Sequence, residues 1–159
     1  MSKRDLWQEI RKTLPVHSLE REVNLNIVQT SDQLQSKFAQ LFREYGLTSS
    51  QYNVLIVLRS EAKPMPCMEV RDRLIQRLPA ITGLVDRLEK QGLVSRERCQ
   101  EDRRVVYIEI TNDGQKLLER LDGPVLDLHK QLCGSLSKSE LETIVKLMAM
   151  LRANMGDEE

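Results

Sequence analysis

Apolar residues recur at helical spacing over most of the chain. Leu34, Phe38, Leu41 and Tyr45 stand four, three and four residues apart, the stripe of a helix with one face turned to a core. The stripe predicts a long helix from about Leu19 to Tyr45, ended by Gly46, with a short helix over Lys3–Leu14 before it that stops at Pro15. Thr48-Ser-Ser-Gln51 has the form of a capping box, in which the hydroxyl satisfies an exposed N–H and the amide side chain reaches back. It opens a helix through about Arg59 with Tyr52, Leu55 and Leu58 on one stripe. Pro64 and Pro66 break the chain, a helix of about Cys67–Leu74 follows, and the short turn Ile75-Gln76-Arg77 leads to a helix beginning near Pro79. Proline suits the first helical turn because its missing N–H would be unpaired there anyway. Helix, short turn and second helix make a helix-turn-helix. On its second helix Ile81, Leu84, Val85 and Leu88 face inward, which leaves Pro79, Ala80, Thr82, Gly83, Asp86 and Arg87 outside.

Beyond Gly92 the period drops to two. Val106, Ile108 and Ile110 alternate with Val105, Tyr107 and Glu109, the signature of a half-buried strand. Leu93–Arg98 supplies its partner, and the loop between them carries Glu101, Asp102, Arg103 and Arg104. A helix followed at once by a charged-tip hairpin outlines a winged helix. Thr111-Asn-Asp-Gly then caps a helix over about Asn112–Leu132, which Gly123-Pro124 should kink or interrupt. Ser137-Lys-Ser-Glu140 is a second capping box, opening a last helix through about Met155 with Leu141, Ile144, Val145, Met148 and Leu151 on one face.

The expected fold is mainly α with a small antiparallel β-wing: a winged helix-turn-helix DNA-binding domain flanked by dimerisation helices. Residues 1–46 hold the N-terminal helices, 47–111 the winged domain and 112–159 the C-terminal helices. The winged domain does not need the outer helices, whose broad apolar stripes suit pairing between subunits. Such a homodimer places two recognition helices about one DNA turn apart, matching a palindromic site.

Composition narrows the function. The 159 residues are 40% hydrophobic but only 4% aromatic, so the core must be Leu, Val and Ile. No apolar run approaches the roughly 18 residues of a membrane span, and the N-terminus MSKRDLWQEIRKTLP is too charged for a signal peptide. The expectation is a cytoplasmic protein with no membrane partner. The three cysteines, Cys67, Cys99 and Cys133, are widely spaced and form no disulfide framework. Net charge is zero, but its distribution is uneven. Residues 48–104 hold 11 basic against 8 acidic side chains, while 105–159 hold 6 against 10. The positive surplus falls on the helix-turn-helix and wing, as a localised nucleic-acid face requires. The only histidines, His17 and His129, are far apart in the chain. With no glycine-rich phosphate loop, nucleophile motif or metal-ligand spacing, nothing points to an enzyme, a metal or a cofactor.

LTSSQYNVLIVL and then MEVRDRLIQRLPAITGLVDRLEKQGLVSRERCQEDRRVVYIEITNDG strongly resemble the MarR family of bacterial transcription regulators. The likeness runs from about Leu47 to Gly114, and its most specific parts are ITGLVDRLEKQGLV and Asp102-Arg-Arg104 followed by Ile110-Thr111 and Gly114. The resemblance implies triangular dimers on palindromic promoter DNA, most often repressors released by small phenolic or lipophilic compounds, and in some members by oxidants. It puts the helix starting at Pro79 in the major groove and the loop around Asp102, Arg103 and Arg104 in the minor groove. A guanidinium suits a narrow, electronegative minor groove, and Asp102, two residues from Arg104, is placed to hold that side chain. On the recognition helix Ala80 and Thr82 are candidates for thymine methyls or base edges, with Pro79 and Gly83 beside them; Arg77 and Arg87 are candidates for phosphates. The family's turn often ends in a small polar cap, whereas this chain reads Arg77-Leu78-Pro79.

A regulator needs an input. His17, Arg21 and Tyr52 are the candidate effector contacts, near the meeting of the long N-terminal helix with the winged domain, where a ligand would change the spacing of the recognition helices. Trp7 reads as a packing anchor. Cys99, beside Arg98 and near Arg103 and Arg104, sits in a positive setting that favours the thiolate. A thiol-oxidation-responsive repressor is therefore one alternative, although the cysteine that peroxide-sensing relatives carry in the N-terminal helix is missing. A winged-helix protein-interaction module without DNA binding is another.

Overall fold

A computed structural model describes residues 18–74, 81–100, 102 and 104–156. Among these the order is α1 (Leu19–Glu44), α2 (Ser49–Glu61), β1 (Met65–Pro66), α3 (Cys67–Asp72), α4 (Ile81–Lys90), β2 (Val94–Arg98), β3 (Val106–Ile110), α5 (Asn112–Cys133) and α6 (Lys138–Met155). The short helix expected over Lys3–Leu14, Trp7 within it and the turn at Ile75-Gln76-Arg77 lie outside the described residues. The chain divides into two compact units, Met1–Gln40 and Leu41–Glu159. In the first, α1 carries exposed Leu19, Val23, Val28 and Leu34.

The second unit contains the winged fold. Both expected capping boxes form. The Gln51 N–H donates to Thr48 Oγ1 at 3.2 Å and the Thr48 N–H to Gln51 Oε1 at 2.8 Å. At the start of α6 the Ser137 N–H donates to Glu140 Oε2 at 2.7 Å, with the reciprocal bond at 3.4 Å. Val54, Leu55 and Leu58 of α2 are almost wholly buried, as are Val70 of α3, Val85 and Leu88 of α4, and Leu118 and Leu121 of α5. The first half of α5 is thus built into the winged core, whereas α6 has no buried residue.

The sheet has the order β1-β3-β2, all antiparallel. Val94 faces Ile110, Arg96 faces Ile108 and Arg98 faces Val106. The sequence pattern anticipated the hairpin and missed β1. Pro64 and Pro66 mark a break there, yet Met65 pairs with Ile108 and is buried. A two-residue edge strand shows no alternation, and proline is tolerated at an edge because its missing N–H faces no partner. The expected interruption at Gly123-Pro124 does not occur: α5 runs as one helix through Pro124. Part of the strain ahead of a proline is its ring against the preceding Cβ, and Gly123 has none.

Two glycines place the wing. Gly92, at φ 72°, turns the chain out of α4, with its N–H on the Glu89 carbonyl at 2.9 Å and the Leu93 N–H on Leu88 at 3.0 Å. At Gly114 a Cβ would fall onto the Leu93 carbonyl and 2.7 Å from Ile110 Cγ1, so α5 leaves the sheet as closely as backbone permits. Thr111 closes this corner: its hydroxyl donates to the Gly92 carbonyl at 2.6 Å and accepts from the Gly114 N–H at 3.2 Å.

Candidate nucleic-acid interface

The buried stripe of α4 (Ile81, Leu84, Val85 and Leu88) fixes which of its side chains meet solvent. Thr82 and Arg87 are exposed, and Gly83 and Asp86 are half-exposed. Arg77, assigned from the sequence to the turn before this helix, and Pro79 and Ala80, assigned to its start, lie outside the described residues.

The wing projects beyond the hairpin. The Cys99 N–H donates to the Val105 carbonyl at 3.0 Å and the Val105 N–H to the Asp102 carbonyl at 2.9 Å, closing the loop. Within it the Asp102 carboxylate accepts three bonds from Arg104: the backbone N–H at 3.0 Å, Nε at 3.1 Å and Nη2 at 3.4 Å. The Arg104 side chain is nonetheless 92% exposed. Bonds from Arg104 hold the Asp102 carboxyl below its ordinary range, because they stabilise the ionised form. The result is a guanidinium presented to solvent from a defined base, with its nearest acid already occupied. Arg103 lies outside the described residues.

Between this tip and α4 is a cavity of about 320 Å3, lined by Pro66, Cys67, Met68, Thr82, Arg96, Arg104, Val105, Val106 and Ile108. Burial pushes the Cys67 thiol up, against the opposing pull of Arg96 and Arg71. Arg96 was not singled out from the sequence. Its side chain leaves β2 on the same face as buried Val94 and crosses to α4, donating to the Thr82 carbonyl at 3.3 Å and to the Asp86 carboxylate. The available signal was the alternation itself, which puts Arg96 at an inward position of a half-buried strand.

The remaining candidates are scattered. His17 lies outside the described residues. Arg21, half-buried, belongs to the first unit, where its backbone N–H donates to Ser18 Oγ at 3.2 Å. Tyr52, in the second unit, stacks on Phe42 with ring centroids 4.1 Å apart, and burial raises its hydroxyl pKa. Nearby, Arg59 of α2 forms a two-pronged pair with Asp122 of α5 at 2.8 and 2.9 Å. Cys67, Cys99 and Cys133 are free thiols, each half-buried. Among the described residues no cluster of His, Cys, Asp or Glu has the arrangement of a metal site, and no helix is long and apolar enough to cross a membrane.

Known proteins share this geometry. The model of a family described as transcriptional regulator SarA/Rot matches residues 36–121. The HTH-type transcriptional regulator FarR of Neisseria gonorrhoeae is 25% identical over 138 residues, covering 87% of this chain and 94% of FarR. The solved MarR transcription factor of Planctomyces limnophilus is 37% identical with a TM-score of 0.68, covering 85% of this chain and 98% of that one. Bordetella bronchiseptica BpsR shares the fold at a TM-score of 0.73 and 23% identity, over 82% of this chain and 98% of its own.

Proposed function

Since this chain belongs to the MarR kind of winged-helix transcriptional regulators, and so is a regulator rather than an enzyme, we propose that it is a cytoplasmic homodimeric repressor of palindromic promoter sites, relieved by a small phenolic or lipophilic ligand. In this reading α4 enters the major groove, with Thr82 and Gly83 at base edges and Arg87 at phosphate, and Arg104 enters the flanking minor groove. Arg77, Pro79, Ala80 and Arg103 complete the surface. The observation that carries the reading is the Asp102–Arg104 clasp. It holds out an exposed guanidinium positioned by an ionised acid, as insertion of an arginine into a narrow minor groove requires.

Dimerisation is supported by α6. Ile144, Val145, Leu147, Met150 and Met155 are 42%, 68%, 54%, 57% and 67% exposed, a run of apolar surface that favours coverage by another chain. Relief by a ligand is supported by BpsR, whose DNA binding is regulated by 6-hydroxynicotinic acid. The cavity of about 320 Å3 beside Thr82 and Arg104 is a candidate place for such a compound, next to the surface assigned to DNA. His17, Arg21 and Tyr52 remain the other proposed effector contacts.

The test is a gel shift on the promoter region beside the protein's own gene, with random-site selection in parallel and phenolic acids added to the formed complex. A palindromic selected site and release by such an acid are expected. Failure to select any duplex sinks the reading in favour of a protein-interaction module, and release by peroxide alone would turn it toward Cys99.

A further inference from the structure

We propose that Arg96 is the positioning residue that sets the rotation of α4 against the wing, and so decides which bases the recognition helix reads. The inference rests on α4 being the DNA-reading helix, and goes beyond it by naming what aims that helix.

Apolar packing alone leaves the aim loose. Ile81, Leu84, Val85 and Leu88 hold α4 to the core, but attraction between apolar surfaces is not directional, and a helix can roll on such a stripe. Arg96 supplies direction. Its Nη2 donates to both the Thr82 carbonyl and the Asp86 carboxylate, and Glu89 pairs with it by charge alone, 3.4 Å from Nε. Those positions follow one side of the helix over two turns, about 10 Å of axis. A planar guanidinium held at one nitrogen by a backbone carbonyl and a carboxylate one turn along the helix, with a second carboxylate beside Nε, resists both roll and slide, and a lysine's ammonium on its flexible stem does not reproduce that plane. Its own base is firm, because Arg96 pairs with fully buried Ile108, itself paired on its other side with Met65. One side chain therefore ties the strand leading into the wing to the backbone carbonyl of Thr82, a residue assigned to base contact.

The charge balance separates this role from a phosphate contact. Asp86 and Glu89 both face Arg96, so its positive charge is spent within the protein and adds little to attraction for DNA.

Arg96→Lys preserves the charge and removes the planar guanidinium, which makes it the test variant. Two readouts apply to the full chain. In the free protein, amide hydrogen exchange over α4 should quicken about tenfold while α2 keeps its protection. On DNA, the ratio of operator to scrambled-duplex affinity should fall about tenfold, the cost of roughly one misread base pair, with scrambled-duplex affinity and salt slope unchanged. Wild-type exchange and an unaltered ratio overturn the proposal. So does a salt slope lower by about one in the charge-removing Arg96→Gln, which would mark a phosphate contact, or an equal loss on both duplexes, which would mark general unfolding. A wild-type protein that selects no duplex overturns the DNA reading beneath the proposal, and that failure shows in the wild type rather than in the variant.

Discussion

Removing the Asp102 carboxylate should weaken operator binding even though it removes a negative charge from a surface that meets DNA. Two effects compete in Asp102→Ala. The acid at the wing tip repels phosphate, so its loss favours every duplex alike. It also holds Arg104 by three bonds, and among the described residues no other hydrogen bond or ion pair holds that side chain, which is 92% exposed. Ordering a free arginine on binding costs up to about 2 kcal/mol of rotamer entropy, which bounds the loss on operator DNA at about thirtyfold. For Arg104→Ala the operator affinity should drop by about tenfold, and the plot of log affinity against log salt should flatten by roughly 0.9, the signature of one phosphate-directed charge. The informative variant is the double one. Once Arg104 is absent, Asp102 has nothing to position and only its repulsion remains, so Asp102→Ala should then raise affinity. Fluorescence anisotropy on operator and scrambled duplexes over a salt series measures all four corners of the cycle. If Asp102→Ala tightens operator binding in the wild-type background, Asp102 is merely a repulsive charge and the clasp has no part in recognition.

Further predictions follow from other parts of the structure. Gly114→Ala should cost about 1–3 kcal/mol by urea denaturation through overpacking, since its Cβ meets the Leu93 carbonyl and Ile110; a neutral result would mean that the corner opens freely. Replacing Ile144 and Leu147 together by Glu should leave the folded chain intact and yield a monomer by gel filtration with light scattering. Each such side chain forfeits about 1.5–3 kcal/mol of burial in a dimer, and a variant that still dimerises removes α6 from the interface. Asp122→Asn tests the pair with Arg59, whose hydrogen bonds hold the Asp122 carboxyl below its ordinary range. A depressed carboxyl contributes stability above its unfolded pKa of about 4 and loses it as pH falls through the lower folded value. The variant should therefore cost under about 1 kcal/mol at neutral pH, the pair being partly exposed, and nothing once the wild-type carboxyl is protonated. A cost that persists in acid would assign the effect to packing.

What the sequence determined by itself is local and periodic. The spacing of Ile81, Leu84, Val85 and Leu88 fixed the inward face of α4, and Thr48-x-x-Gln51 and Ser137-x-x-Glu140 marked helix starts, because caps are contacts between residues three apart. Asp102 and Arg104, two residues apart, were legible as a pair for the same reason. Tertiary structure decided what depends on distant partners. Met65 became a strand because β3 offered an open edge, despite the prolines on either side. Gly114 matters because the Leu93 carbonyl lies where its side chain would be. The first half of α5 joined the winged core through Leu118 and Leu121, while the apolar residues of α6 stayed uncovered, a difference that two similar stripes could not announce. Arg96 stood in the sequence as one charge among many. Only the folding of β2 against α4 brought Thr82, Asp86 and Glu89 to its guanidinium, and the direction of a hydrogen bond cannot be read before both of its ends are in place.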